Sequence, residues 1–134
     1  MSNVLYNLIT WEYFKSLVKR NFNIDFVKID DFFKEGTEWL SLEDYENLND
    51  DEILNNLASL KNFEGNLYVV TDASYQKELS PFQIESTNIK SFAENHKNIF
   101  GERFVETDIL IINFELKFAW IFHHEGVYAL IDFR

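Results

Sequence analysis

Three histidines are the residues of this chain best suited to acid–base or metal chemistry. His123 and His124 are consecutive and are followed by Glu125, whereas His96 stands alone in an earlier segment. Histidine and glutamate can act as bases, acids or metal ligands. Neighbouring residues of a regular strand point to opposite faces, so we expect that His123 and His124 do not chelate one ion together. The pattern therefore predicts no metal site.

The position of these residues directly before Gly126 favours a polar hairpin turn. If this turn has a function, contact with a partner is favoured over catalysis, so His123, His124 and Glu125 form a candidate partner-binding patch. His96 falls on the apolar face of a predicted helix, which is typical of a histidine hydrogen-bonded at the edge of a core.

Asp72 and Asp108 come at predicted strand ends, where active-site carboxylates and ordinary turn residues both occur. The sequence pairs neither aspartate with a base. The chain has no cysteine, which excludes disulfides and cysteine-ligated zinc. It also lacks the glycine-rich phosphate loops and the GxSxG elbow. We therefore expect no cofactor and a binding role, not an enzyme.

The segment 25–52 is the most acidic part of the chain. Eleven carboxylates stand against two lysines there. The carboxylates are Asp25, Asp30, Asp31, Glu35, Glu38, Glu43, Asp44, Glu46, Asp50, Asp51 and Glu52. Helix capping uses only a few such acids, and an excess costs stability through self-repulsion. The alternatives are a solvated surface and a binding surface. The residues predicted to bind a partner are Asp30, Asp31, Glu35, Glu38, Trp39, Glu43, Asp44 and Glu46.

The formal net charge of −11 on 134 residues limits the possible partners. Such a chain is repelled by nucleic-acid phosphates and by anionic membranes, so we expect neither as a ligand. A protein with a basic surface is the favoured partner, because opposite charges speed the encounter.

The periodicity of apolar residues indicates two good helices, at 10–20 and 87–99. Short helices are predicted within 30–60, with capping boxes at Ser41/Asp44 and Asn49/Glu52. Strands are predicted at 67–72, 108–113, 116–122 and 127–133. A short strand or an extended segment is expected at 22–26, and a short extended piece at 82–84. Segment 3–9 fits either a helix extension or a strand.

These elements predict one α/β domain over residues 1–134 of the α+β class. We expect a mixed or antiparallel sheet of four to five strands packed against helices. Its last three strands should form a C-terminal meander, with Phe118 and Trp120 on the same buried face because they are two residues apart. The connection from 67–72 to 108–113, through the second helix, is long enough for a crossover.

Residues 1–20 lack the pattern of a signal peptide, and no apolar run approaches the roughly 20 residues of a membrane span. We therefore expect a cytoplasmic protein.

The carboxyl-terminal half carries a family resemblance. The segments are GNLYVVTDASYQKELSPFQI, the helix that ends in NIFGE, and DILIINFELKFAWIFHHEGVYALIDF. With its small size, acidity and lack of cysteine, the chain resembles bacterial toxin immunity proteins, notably those of contact-dependent growth inhibition. The resemblance implies a tight complex with the C-terminal domain of a cognate toxin, often a nuclease, whose active site is covered or distorted.

Two other functions remain open from the sequence. One is a small enzyme or ligand-binding domain that uses His96, His123, His124 and nearby carboxylates. The other is a non-catalytic regulatory or adaptor domain.

Overall fold

The computed structural model describes residues 5–134. The helices are α1 (Trp11–Phe22), α2 (Asp50–Leu60) and α3 (Ile89–Phe100). The strands are β1 (Asn7–Leu8), β2 (Leu40–Ser41), β3 (Asn66–Val70), β4 (Phe82–Glu85), β5 (Ile109–Asn113), β6 (Phe118–His123) and β7 (Val127–Asp132). Short 3₁₀ helices are Ile29–Phe32, Tyr45–Asn47, Asp72–Tyr75 and Ser86–Asn88. No helix among residues 5–134 is long and apolar enough to cross a membrane.

One seven-stranded sheet organises the part of the chain that the structure describes, in the order β1-β4-β3-β5-β6-β7-β2. All neighbouring strands are antiparallel. Five longer strands form its centre, and the two-residue strands β1 and β2 extend the edges. The α+β class, the antiparallel sheet and the C-terminal meander β5-β6-β7 are thereby confirmed. The crossover through α3 starts from β4 and passes over β3 to reach β5.

The N-terminal segment contains a strand in its described part. Asn7 pairs with Gln83 and Leu8 pairs with Phe82, at the outer edge of β4. Residues 3 and 4 lie outside the described residues. Helix α1 starts only after this strand, because the Thr10 side chain accepts a hydrogen bond from the Tyr13 N–H and caps the helix there.

Helices cover both faces of the sheet, so its central strands are buried on both sides. Helices α2 and α3 pack on the face that carries Trp120 and Phe118. Helix α1 and the 3₁₀ helix Ile29–Phe32 pack on the face that carries Leu110 and Ile121. Burial on both faces explains why β5 is apolar at every position but the last. Trp120 is fully buried beside Phe118 on one face, as the sequence predicts.

Of the two alternatives at 22–26, a short strand or an extended segment, the strand does not form. Asn23 adopts a left-handed conformation that ends α1 and redirects the chain. The proposed capping box at Ser41 and Asp44 does not exist either, since Ser41 pairs in β2 and Asp44 precedes a 3₁₀ turn. The second capping box is confirmed: Asn49 and Glu52 each accept a hydrogen bond from the other's N–H.

Candidate functional site

The functional candidates gather at one end of the sheet. At this end β3 and β6 finish and β5 and β7 begin, as the pairs Val70–Leu110 and His123–Val127 show. Asp108 immediately precedes β5, so the antiparallel register places it beside the end of β6. We call Asp108, His123 and His124 the histidine site.

Asp108 holds His124 through both the backbone and the side chain. Its Oδ1 accepts the His124 N–H at 2.8 Å and lies 3.0 Å from His124 Nδ1. The sequence paired Asp108 with no base, and the structure corrects this. The register of the β5–β6 hairpin was the signal that could have brought Asp108 to the histidines, because it aligns the residue before β5 with His123, the last residue of β6 and the neighbour of His124.

The prediction that His123 and His124 diverge is also wrong. The alternation of a strand applies only within the strand, and β6 ends at His123, so His124 belongs to the turn. The two rings face each other, with centroids 4.1 Å apart and an angle of 35° between their planes. One donor atom each from Asp108, His123 and His124 lie within 4.8 Å of one another. This geometry could hold a metal ion.

Tyr45 connects the acidic segment to the turn at residues 124–126, which we call the histidine turn. Its hydroxyl donates a hydrogen bond to the His124 carbonyl at 2.9 Å, and its ring lies against Gly126. The Leu42 N–H donates to the Gly126 carbonyl at 2.8 Å. The two patches that the sequence predicts separately are therefore adjacent in the structure.

Aromatic packing adds a second link between the two patches. The Phe33 ring lies edge-on to His123, with centroids 5.7 Å apart, and Trp39 packs against Phe33 at 4.9 Å. Trp39 is half-buried. It therefore serves first to fix the acidic segment, and its exposed part is available to a partner.

Six of the predicted acidic residues are exposed, and none of them forms an ion pair with a cation of residues 5–134. We call these six residues the acidic arc. They are Asp30, Glu35, Glu38, Glu43, Asp44 and Glu46. The exposed Glu125 lies in the histidine turn itself.

Asp31 has a local structural role and is not part of the arc. Its Oδ2 accepts the N–H groups of Val27 and Lys28, at 2.7 and 2.9 Å. Asp50 is likewise structural: its Oδ1 lies 3.0 Å from Arg103 Nη2, and its carboxylate accepts backbone N–H groups of the 104–105 segment. Part of the acidic excess therefore stabilises loops, as capping predicts.

Carboxylates near the histidine site affect the pKa values of neighbouring groups. The pKa of Tyr75 is raised to about 12. Burial is the largest cause, followed by the negative charges of Asp72 and Asp108. The Tyr75 hydroxyl therefore stays protonated at neutral pH. Burial also raises the pKa of Glu102, with further contributions from Asp72 and Glu106. Several carboxylates thus converge on this end of the sheet, where they attract cations.

A small cavity of about 190 Å³ lies next to the histidine site. Its lining includes Tyr45, Arg103, Glu106 and His124. Drug-sized ligands usually occupy about 300–1,000 Å³, so this cavity suits an ion or a very small molecule.

His96 is a core histidine. It is fully buried, and its Nδ1–H donates to the Glu102 carbonyl at 2.7 Å, which leaves Nε2 to accept from the Thr71 hydroxyl at 3.4 Å. Burial lowers the pKa of His96, although the Glu102 hydrogen bond and the charges of Asp50, Asp72 and Glu106 oppose this. The ring is therefore neutral at neutral pH, and it is not among the three clustered donors of the histidine site.

No family model, curated protein or solved structure matches this chain.

Proposed function

We propose that this protein neutralises a bacterial protein toxin by direct binding, as an immunity protein does. The observation that carries the proposal is the acidic arc. Six exposed carboxylates without cationic partners among residues 5–134 follow one segment that packs beside the histidine turn. Unpaired like charges repel each other and lower stability, so their concentration indicates a function that needs them.

The arc suits a basic protein surface. A nuclease toxin must attract nucleic acid, and its active-site cleft is therefore expected to be positively charged. Carboxylates can occupy positions that phosphates would take, and the opposite charges accelerate the encounter. Trp39 and Tyr45 lie in the same segment as the arc residues, and aromatic side chains of this type are common at interface hot spots.

The pattern of the carboxyl-terminal half supports the same proposal through its resemblance to immunity proteins of contact-dependent growth inhibition. Such a protein acts in the cytoplasm of the cell that it protects, so we place this chain there. The proposal requires no catalytic residue, and the buried, neutral His96 is consistent with a structural role.

A co-expression experiment tests the proposal. The C-terminal domain encoded by the adjacent upstream reading frame is induced in cells with and without this protein, and survival is measured. We expect protection together with a 1:1 complex in gel filtration. A toxic domain that kills equally in both strains, with no complex between the purified proteins, would contradict the proposal.

The cavity beside His124 favours a second candidate, a small ligand-binding or catalytic domain. Arg103 and Glu106 could orient a small polar molecule there. Protection that survives replacement of the arc carboxylates but is lost in a folded Arg103→Ala variant would favour this alternative. A complex with a non-toxic partner would instead favour a regulatory or adaptor domain.

A further inference from the structure

We propose that the histidine site binds one divalent first-row transition-metal ion, with Zn²⁺ as the natural occupant, through Asp108, His123 and His124. This inference does not rest on the proposed function. Two imidazoles and one carboxylate form a donor set that zinc commonly takes, and a fourth position remains for water or for a partner's side chain.

The distances between donor atoms fit a small cation. Zinc–nitrogen and zinc–oxygen bonds of about 2.0–2.2 Å in a tetrahedron place the ligand atoms about 3.3–3.6 Å apart. The Asp108 Oδ1 and His124 Nδ1 atoms are 3.0 Å apart, and all three donors lie within 4.8 Å of one another. The His124 side chain is 54% exposed, so solvent and an incoming ion can reach it.

The backbone that carries the ligands is already fixed. The Gly126 N–H donates to the His123 carbonyl at 2.9 Å, and the Tyr45 hydroxyl donates to the His124 carbonyl at 2.9 Å. The His124 N–H orients the Asp108 carboxylate. A turn whose backbone is already ordered loses little freedom on binding. Hydrogen bonds to ligating side chains, such as that from the His124 N–H to Asp108, commonly change metal affinity 10–100-fold.

The electrostatic surroundings favour a cation. Asp72, whose Oδ2 accepts the Thr107 hydroxyl at 2.6 Å, lies at the same end of the sheet, and Glu106 lines the adjacent cavity. Without a metal, Asp108 and His124 form an ordinary hydrogen-bonded pair, and the His123 ring accepts the Glu125 N–H through Nδ1 at 3.3 Å, which leaves Nε2 as its free donor atom. Metal binding alone would use all three side chains together.

Calorimetric titration of the full, tag-free chain with ZnCl₂ tests the site, and Co²⁺ provides a visible-absorption probe of ligand number. We expect one site per chain. Asp108→Asn, His123→Ala and His124→Ala should each weaken zinc binding at least about tenfold, with unchanged far-UV circular dichroism.

Glu125→Gln is the matched control, because it removes one carboxylate from the same turn without removing a proposed ligand. It should leave the affinity unchanged. The proposal is overturned if no saturable 1:1 binding occurs. It is also overturned if Asp108→Asn and Glu125→Gln have equal effects, or if a His123→Ala/His124→Ala double variant still binds zinc like the wild type.

Discussion

At the scale of single residues, His96 makes stability depend on pH. Its pKa is lowered in the folded state, chiefly by burial, whereas the unfolded chain has the ordinary value of about 6.5. Below that pH the imidazole of the unfolded chain is protonated, whereas the buried imidazole of the folded protein stays neutral. Folding is therefore stabilised above about pH 6.5 and loses this contribution as the pH falls towards the lowered pKa.

We predict that the free energy of unfolding of the wild type falls more steeply between about pH 7 and pH 5 than that of His96→Gln, by at most about 1.4 kcal/mol per pH unit. Urea unfolding at each pH measures both slopes. His123, His124 and all carboxylates are common to both proteins, so the difference isolates His96. Parallel slopes would show that the buried ring titrates normally.

Trp120 is the largest fully buried side chain of the described residues. It packs against Phe63 and donates its indole N–H to the Lys61 carbonyl at 3.0 Å. We predict that Trp120→Ala lowers the free energy of unfolding by about 3–5 kcal/mol, because it leaves a cavity. Trp120→Phe should cost less, since it retains most of the packing and loses the hydrogen bond. A loss well below about 1 kcal/mol for Trp120→Ala would contradict the packing.

At the scale of elements, the contact between Tyr45 and Gly126 joins the acidic segment to the β6–β7 turn. Gly126 has a φ of 81°, and a Cβ atom there would overlap the Tyr45 ring. We predict that Gly126→Ala lowers stability by about 1–2 kcal/mol for the left-handed backbone and by a further 1–3 kcal/mol or so for the overlap. Chemical denaturation measures the sum.

Two comparisons separate these costs. In a Tyr45→Ala background, Gly126→Ala should retain only the backbone cost of about 1–2 kcal/mol, because the ring is gone. Gly65→Ala is the matched control: Gly65 has a φ of 63°, and a Cβ atom added there would meet no other atom within 4 Å. An equal cost of Gly126→Ala with and without the Tyr45 ring would show that the ring does not rest on the turn.

At the scale of the whole molecule, the acidic arc should control association with a basic toxin domain. We predict that Asp30→Lys, Glu35→Lys, Glu38→Lys and Glu43→Lys together slow association and flatten its salt dependence. Salt acts on the wild type because the Debye length falls from about 10 Å at 0.1 M to about 3 Å at 1 M. Stopped-flow measurements across this range give the rates. Asp31 is left intact because it caps a loop.

The control reverses four exposed carboxylates outside the arc, and so changes the net charge equally. These residues are Glu64, Glu85, Glu94 and Glu115. We expect a smaller reduction of the association rate from this set. Equal reductions of the association rate would mean that only total charge matters. If neither set reduces the rate, the interface does not include the arc.

Local signals in the sequence determined most of the elements. The Thr10 cap, the Asn49/Glu52 capping box and Gly101 after α3 act within one helical turn, so neighbouring residues suffice to predict them. Alternation in β6 likewise placed Trp120 and Phe118 on one buried face. Composition and charge determined the acidic character of the chain.

Only the tertiary structure decided the site. The Asp108–His124 contact joins residues 16 apart, and the Tyr45–His124 contact joins residues 79 apart. The first contact depends on the register of the β5–β6 hairpin and the second on the pairing of β2 with β7, and neither is set within a single element. Pairing with β7 also determines that β6 ends at His123. Because His124 lies outside the strand, the two histidine rings lie close together and do not point to opposite faces. Strand pairing therefore brings together the residues of the histidine site, which the sequence analysis treats separately.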